Sequence, residues 1–161
     1  MSKFSILFVC MGNICRSPTA EAVFRHAAAG SGIAAYVEID SAGTDAYHVG
    51  QSPDRRAQQA ARSRGYDLSG IRARKVTAED FERFDLVLAM DKPVLVSLRR
   101  ICPAKHADRL KLFMSFAEQL LEDEVPDPYY GGNTGFERVL DLIEAATAGL
   151  IQETIRCVSA R

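Results

Sequence analysis

A ten-residue stretch near the start of the chain constrains the fold more than any other feature. Its sequence, Val9-Cys10-Met11-Gly12-Asn13-Ile14-Cys15-Arg16-Ser17-Pro18, follows an apolar run that begins at Phe4. Ser17 is a residue type that caps helices, and Pro18 is favoured at the first helical position. The stretch therefore predicts a strand, a short loop and the start of a helix.

The loop in this stretch carries the residues for phosphate chemistry. Backbone N–H groups at a helix N-terminus attract anions, and the same field stabilises a thiolate at Cys10. Arg16 offers a planar guanidinium that can bind two phosphate oxygens. Gly12 lets the backbone approach an anion without a Cβ, and Asn13 tolerates unusual backbone angles. A thiolate nucleophile beside a phosphate site indicates phosphoryl transfer through a phosphocysteine.

Composition excludes several other classes of protein. A chain of 161 residues, 47% hydrophobic and 25% charged, predicts one domain over residues 1–161 with a substantial core. The net charge of −1 argues against nucleic acid or a membrane as partner. No apolar run has the length of a membrane span, and the N-terminus lacks the layout of a signal peptide.

The cysteines and histidines predict a compartment and argue against a metal. Four cysteines outside a small secreted scaffold indicate the reducing cytosol, where Cys10 stays a free thiol. Their spacings match no zinc pattern, and the three histidines are scattered along the chain. We therefore expect neither a metal nor another cofactor.

Apolar strands and amphipathic helices alternate along the chain. We predict strands over 4–9, 36–41, 84–90 and 110–113. We predict helices over 18–29, over 52–64 with the cap Ser52-Pro53, and over 92–100 with the cap Asp91. A short helix opens at Thr77–Asp80, and a last one opens with the capping box Thr134-x-x-Glu137. Alternation of this kind predicts an α/β fold, a doubly wound parallel sheet with helices on both faces. Ligands bind such sheets at the carboxyl ends of the strands, where the Cys10–Ser17 loop falls.

A thiolate attacking phosphorus also needs a proton donor for the departing oxygen, and Asp127 is the best candidate. It lies in Glu124-Val125-Pro126-Asp127-Pro128-Tyr129-Tyr130-Gly131-Gly132, where prolines and glycines predict a shaped loop. An aspartate before proline is by itself more often a turn residue than a catalyst. Tyr129 and Tyr130 either pack this loop or wall a cleft for an aromatic substrate.

The Cys10–Pro18 motif and the Asp-Pro-Tyr-Tyr segment resemble the low-molecular-weight protein tyrosine phosphatases. The resemblance extends over nearly the whole chain and implies the sheet order 2-1-3-4. It implies Cys10 as nucleophile, Arg16 as phosphate ligand and Asp127 as general acid and base. The phosphate-binding loop would then comprise Met11, Gly12, Asn13, Ile14, Cys15, Arg16 and Ser17.

The resemblance also implies roles outside the nucleophile and the acid. Ser17 would donate a hydrogen bond to the Cys10 sulfur, and Ser41 would support the loop from the second strand. Tyr47, with Tyr129 and Tyr130, would wall a cleft deep enough to favour phosphotyrosine over shorter phosphorylated side chains. The family further implies a tyrosine-phosphorylated protein as substrate and a cognate tyrosine kinase that can phosphorylate the tyrosines. We expect a monomer.

Cys15 has two interpretations. It packs as a structural thiol, or it forms a reversible disulfide that shields Cys10 from over-oxidation, as in relatives with this pair. Cys102 and Cys157 are assigned to packing.

Four alternative functions are weaker. Protein-arginine phosphatases resemble the motif with Thr where this chain has Ile14. Arsenate reductases need further cysteines in relay, and Cys102 and Cys157 form no matching pair. A non-enzymatic phosphate-binding module leaves Asp127 unexplained. A mononucleotide P-loop requires Gly-x4-Gly-Lys-Ser/Thr, which is absent from the sequence.

Overall fold

The sheet is built on a fully buried first strand. A computed structural model describes residues 3–129 and 133–161. Its strands are β1 (Phe4–Cys10), β2 (Val37–Gly43), β3 (Leu86–Ala89) and β4 (Leu110–Leu112). They form one parallel sheet in the order β2-β1-β3-β4, which confirms the predicted order and fold class. β1 is apolar nearly throughout because both of its faces are covered.

Helices connect the strands in the order that a doubly wound sheet requires. They are α1 (Arg16–Gly30), α2 (Arg55–Ser63), α3 (Asp80–Arg83), α4 (Lys92–Ile101) and α5 (Asn133–Ser159), with 3-10 turns at Ala34–Tyr36, Ala104–Arg109 and Phe113–Phe116. The apolar positions predicted for the last helix are all buried: Phe136, Val139, Leu140, Ile143 and Leu150. Among the described residues no helix is both long enough and apolar enough to cross a membrane.

Successive side chains of β1 point to opposite faces of the sheet, and the core is therefore divided into two layers. Ile6, Phe8 and Cys10 point to one face of the sheet and pack with residues of α1 and α5. Leu7 and Val9 point to the other face and pack with residues of α3, β3 and α4. The nucleophile candidate is therefore on the face covered by α1 and α5, at the carboxyl end of the central strand.

The second strand is longer than predicted. Its last residue, Gly43, lies opposite Cys10 in the β1–β2 register. The predicted boundary at Ser41 fell short because Ala42-Gly43 has the composition of a turn, whereas pairing with β1 keeps it extended. Gly43 thus lies directly beside the start of the Cys10–Ser17 loop.

Three of the predicted helix caps, at Ser17, Ser52 and Thr77, differ from those in the structure. Ser17 lies inside α1, whose N-cap position is Cys15, because its hydroxyl is engaged with the Cys10 sulfur instead. Asp54, rather than Ser52, caps α2 by accepting a hydrogen bond from the Arg56 amide over 2.8 Å.

The short α3 begins at Asp80, later than the predicted cap at Thr77. The Asp80 carboxylate nevertheless accepts a hydrogen bond from the Thr77 amide over 2.8 Å. This is one of the two hydrogen bonds of a capping box. The cap at Asp91 is confirmed, since its Oδ1 accepts from the Val94 amide over 2.9 Å. The cap predicted at Thr134 lies outside the described side chains, although the backbone of α5 is described from Asn133.

Candidate active site

The Cys10 sulfur lies at the bottom of the loop between β1 and α1. Cys10 is 2% exposed, and its Sγ is 3.0 Å from the Ser17 hydroxyl oxygen. The Asn13 amide donates to the same sulfur over 3.2 Å. Both contacts favour a negative charge on the sulfur, because each can supply a hydrogen to it.

The carbonyl groups of the loop are held away from its centre. Four of them accept hydrogen bonds from outside the loop: Cys10 from Thr44, Met11 from Asp45, Ile14 from Asp54 and Cys15 from Thr19, over 2.6–3.3 Å. The described peptide bonds include none in the cis form, so each carbonyl is opposed by the N–H of the next residue. We infer that the amides of Met11, Gly12, Cys15 and Arg16 point the other way, toward the inside of the loop.

An arrangement of inward N–H groups binds an oxyanion and not a cation. The N-terminus of α1 adds the positive end of a helix dipole to the same place. Over residues 3–129 and 133–161, no group of three or more His, Cys, Asp and Glu side chains is positioned to hold a metal ion.

Asn13 holds the loop in shape from below. It adopts the left-handed conformation, with φ of 55°, which asparagine tolerates better than most residues. Its side-chain amide donates to Ser17 over 2.8 Å and to Ser41 over 3.0 Å, and its oxygen accepts from the Arg74 amide over 3.0 Å. Ser41 in turn donates to Glu21 over 2.7 Å. The structure thus brings Ser41 against the loop, and it adds Glu21, which the sequence interpretation missed.

Two glycines make room for the loop. A Cβ on Gly43 would lie 2.7 Å from the Met11 carbonyl oxygen, closer than any side chain can approach. Gly12 does not have a positive φ, so it is not the residue that turns the chain. A Cβ at Gly12 would instead lie 3.1 Å from Cδ2 of His48, which packs over it.

Arg16 is a buried cation with fixed partners. It is 3% exposed, and its Nη1 donates to Asp91 over 2.5 Å and to the Val125 carbonyl over 3.0 Å. Its Nη2 lies 3.8 Å from the Asp127 carboxylate. Burial alone would lower the pKa of Arg16, but the charges of Cys10, Asp91 and Asp127 outweigh it and raise that pKa. Arg16 therefore stays charged, with its guanidinium held at the loop.

Asp127 faces the same cleft from the opposite side. Its Oδ1 accepts a hydrogen bond from the Tyr129 amide over 3.0 Å, which is the local turn expected for a loop aspartate. The side chain is about one-third exposed and lines the cleft with Cys10 and Arg16. Asp127 is therefore a turn residue and also a residue that lines the cleft.

The cleft above the loop has a volume of about 350 Å³ and aromatic walls. Tyr129 is 38% exposed, whereas Tyr47 is 81% exposed and stands at the rim. His48 lies between them, with its ring centroid 4.8 Å from Tyr47 and 6.5 Å from Tyr129. Tyr130, predicted as a third wall, lies outside the described residues.

Some cleft residues were missed because their contacts are distant in sequence. His48 and Asp45 line the cleft, although the sequence interpretation treated the histidine only as a scattered one. Asp91 was predicted as a helix cap alone, yet its second oxygen binds Arg16 across a separation of 75 residues. A carboxylate that follows a parallel strand is a signal that could have identified Asp91, since carboxyl ends of strands meet at one edge.

Cys15 is a buried free thiol beside the site. Burial, followed by the charges of Asp54 and Cys10, raises the pKa of Cys15 strongly, so this thiol is protonated at neutral pH. Its pairing with Cys10 as a redox partner stays a prediction.

Comparisons with known proteins agree with this site. The family model for low molecular weight phosphotyrosine protein phosphatases matches residues 5–159. A low molecular weight protein-tyrosine-phosphatase of Streptomyces coelicolor is 43% identical over 151 residues, covering 92% of each chain. The crystal structure of a protein tyrosine phosphatase from Entamoeba histolytica has a TM-score of 0.91 at 41% identity, covering 94% of this chain and 96% of that one.

A further structural match is to an enzyme with a different named substrate. The crystal structure of a Drosophila arginine phosphatase has a TM-score of 0.85 at 30% identity, covering 92% of this chain and 96% of that one. The family model nonetheless spans almost the whole sequence, and it confirms the resemblance identified from the motifs. The chain therefore belongs to the low molecular weight phosphotyrosine protein phosphatase family, whose members are phosphoric monoester hydrolases.

Proposed function

We propose that this protein hydrolyses phosphotyrosine in proteins through a phosphocysteine intermediate on Cys10. The observation that carries the proposal is the convergence of three groups on one cleft. The Cys10 sulfur lies beneath inward-facing amides, Arg16 is fixed at the loop, and Asp127 approaches from the other side.

In the first step the Cys10 thiolate attacks phosphorus and the bond from phosphorus to the tyrosine oxygen breaks. The loop amides and the Arg16 guanidinium stabilise the charge on the non-bridging oxygens, because these donors are already oriented. Asp127, in its protonated form, gives its proton to the departing tyrosine oxygen. The products are the dephosphorylated tyrosine side chain of the substrate protein and a phosphorylated Cys10.

In the second step water attacks the phosphorus of phosphocysteine. Asp127, now a carboxylate, takes a proton from that water, and the bond from sulfur to phosphorus breaks. Inorganic phosphate leaves, and Cys10 returns to the thiolate, which Ser17 and the Asn13 amide stabilise. Ser41 and Asn13 act here only by holding the loop in shape.

The cleft favours an aromatic phosphoester over a short aliphatic one. Its walls include Tyr129 and His48, with Tyr47 at the rim, and a phenyl ring gains contact with both sides of such a slot. A phosphoserine side chain is shorter and has no ring, so it would make less contact with these walls. The cognate kinase and the monomeric state implied by the family stay predictions.

The test is steady-state hydrolysis of matched phosphotyrosine, phosphoserine and phosphoarginine peptides, with a metal chelator present. We expect turnover of the phosphotyrosine peptide, abolished in Cys10→Ser while inorganic phosphate still binds. Preference for phosphoarginine would overturn the substrate assignment, and undiminished turnover by Cys10→Ser would overturn the nucleophile. Phosphate binding without turnover of any peptide would overturn the catalytic proposal as a whole.

A further inference from the structure

We propose that Arg56 is a positioning residue that ties the general-acid loop to the phosphate-binding loop. The proposal rests on the function given above and adds to it the residue that orients Asp127. Arg56 lies in the first turn of α2, outside the cleft, so it touches neither the nucleophile nor the phosphate. Its side chain contacts Asp54, two residues away, and also Tyr129 and Phe136, which are more than 70 residues away in the sequence.

The guanidinium of Arg56 is held on one side by Asp54. Its Nε lies 3.2 Å from Asp54 Oδ1 and its Nη2 lies 3.1 Å from Asp54 Oδ2, so the two planar groups pair in parallel. Such a paired contact fixes the direction of the guanidinium, as a single contact from lysine does not. Asp54 is itself tied to the phosphate-binding loop, because its amide donates to the Ile14 carbonyl over 2.8 Å.

On its other side Arg56 holds the segment that carries the acid. Its Nη2 donates to the Tyr129 carbonyl over 3.0 Å, and its carbon Cζ lies 5.5 Å from the centre of the Tyr129 ring. The same guanidinium lies 4.9 Å from the centre of the Phe136 ring in α5. Both distances are within the range of cation–π attraction.

Tyr129 transmits this constraint to Asp127. The Tyr129 amide donates to Asp127 Oδ1, and Arg56 binds the carbonyl of the same residue, so the position of Tyr129 affects the orientation of the carboxyl group. A chain of hydrogen bonds thus runs from Ile14 through Asp54, Arg56 and Tyr129 to Asp127. Without Arg56, the acid loop loses this hydrogen bond to α2, and we expect the proton donor to be placed less accurately.

A residue that acts through the acid has a distinctive kinetic signature. Transfer of phosphate from phosphotyrosine needs a proton on the leaving oxygen, whereas a strongly acidic phenol departs without one. Misplacement of Asp127 therefore slows the first substrate and spares the second. General damage to the site slows both alike.

The experiment compares kcat/KM for a phosphotyrosine peptide and for an aryl phosphate with an acidic leaving group. We expect Arg56→Ala to lower the value for phosphotyrosine about tenfold or more and to leave the activated substrate nearly unchanged. Arg56→Lys should restore part of the loss, since it keeps the charge without the parallel pairing. Arg55→Ala, at the exposed neighbouring position, is the matched control for loss of positive charge.

The decisive arm repeats Arg56→Ala in an Asp127→Ala background. If Arg56 acts through Asp127, adding Arg56→Ala to the Asp127→Ala variant changes kcat/KM for the phosphotyrosine peptide by less than about twofold, because the two effects are coupled. Independent, multiplying losses or equal losses on both substrates would overturn the proposal. Arg56→Gln carries the same comparison where Arg56→Ala lowers the melting temperature too far. A wild type inactive on both substrates would instead overturn the proposed function itself.

Discussion

Asp127 combines a structural hydrogen bond with the proposed proton transfer, and substitution can separate the two. Asp127→Asn keeps an oxygen that can accept from the Tyr129 amide but has no proton to give. We expect it to lower kcat/KM for phosphotyrosine by ~10²-fold or more, and far less for an activated aryl phosphate. Asp127→Ala should add loop disorder to the same loss. Equal losses on both substrates, measured by steady-state kinetics, would contradict the acid role.

Cys10 and Cys15 should differ sharply in reactivity although both are buried. Burial raises the pKa of Cys15, so at neutral pH it remains a thiol, which is a poor nucleophile. Cys10 lines the open cleft and has two hydrogen-bond donors at its sulfur. Of these two cysteines, we expect iodoacetamide at pH 7 to label Cys10, with inorganic phosphate protecting it, and to label Cys15 only after unfolding in urea. Peptide mass mapping checks this, and prompt labelling of native Cys15 would refute it.

At the scale of elements, the start of α4 is built to serve the site. Asp91 caps this helix with one carboxylate oxygen and binds Arg16 with the other. Because β3 ends beside β1, Asp91, the second residue after β3, comes next to the Cys10–Ser17 loop. The helix cap and Arg16 are thereby linked through one side chain.

Asp91→Asn and Asp91→Ala should separate these two roles. Asparagine still caps a helix but carries no charge, whereas alanine does neither. We expect both variants to lower kcat/KM at least tenfold, because Arg16 loses its ionic partner. Urea unfolding should show Asp91→Ala about 1 kcal/mol less stable than Asp91→Asn, the usual contribution of a cap. Equal stabilities would mean that the cap contributes nothing.

At the scale of the whole molecule, α5 lies against the turn that follows β4. A Cβ on Gly149 would lie 1.9 Å from the Phe116 carbonyl oxygen, so only glycine allows this approach. A glycine inside a helix otherwise costs about 1 kcal/mol relative to alanine. The packing of α5 thus overrides the preference of the helix itself.

Gly149→Ala should therefore destabilise the fold although alanine is the better helix former. We expect its free energy of unfolding to fall by about 2 kcal/mol or more, because the contact is with backbone and cannot be relieved by a rotamer change. Gly30→Ala is the matched control, since the last residue of α1 has open space around it. That variant should be neutral or slightly more stable in urea unfolding. A stable Gly149→Ala protein would show that α5 can shift at no cost.

The features of the fold that were predicted correctly are those that depend on residues close together in the sequence. Apolar runs located all four strands, and helical periodicity located the face of α5 that is buried. The cap at Ser17 was wrong because a tertiary partner, the Cys10 sulfur, competes for its hydroxyl. The cap at Ser52 was wrong because Asp54 is a stronger acceptor two residues later.

The sequence alone was enough to propose the chemistry of this protein, because the thiol, the arginine and the helix N-terminus lie within one short loop. Tertiary structure decided what surrounds that chemistry. Asp91 reaches Arg16 across 75 residues, and Arg56 reaches Tyr129 across 73. Local patterns specify hydrogen bonds between near neighbours, whereas such distant contacts arise only in the folded chain, and for Asp91 and Arg16 they arise because parallel strands bring their carboxyl ends to one edge of the sheet.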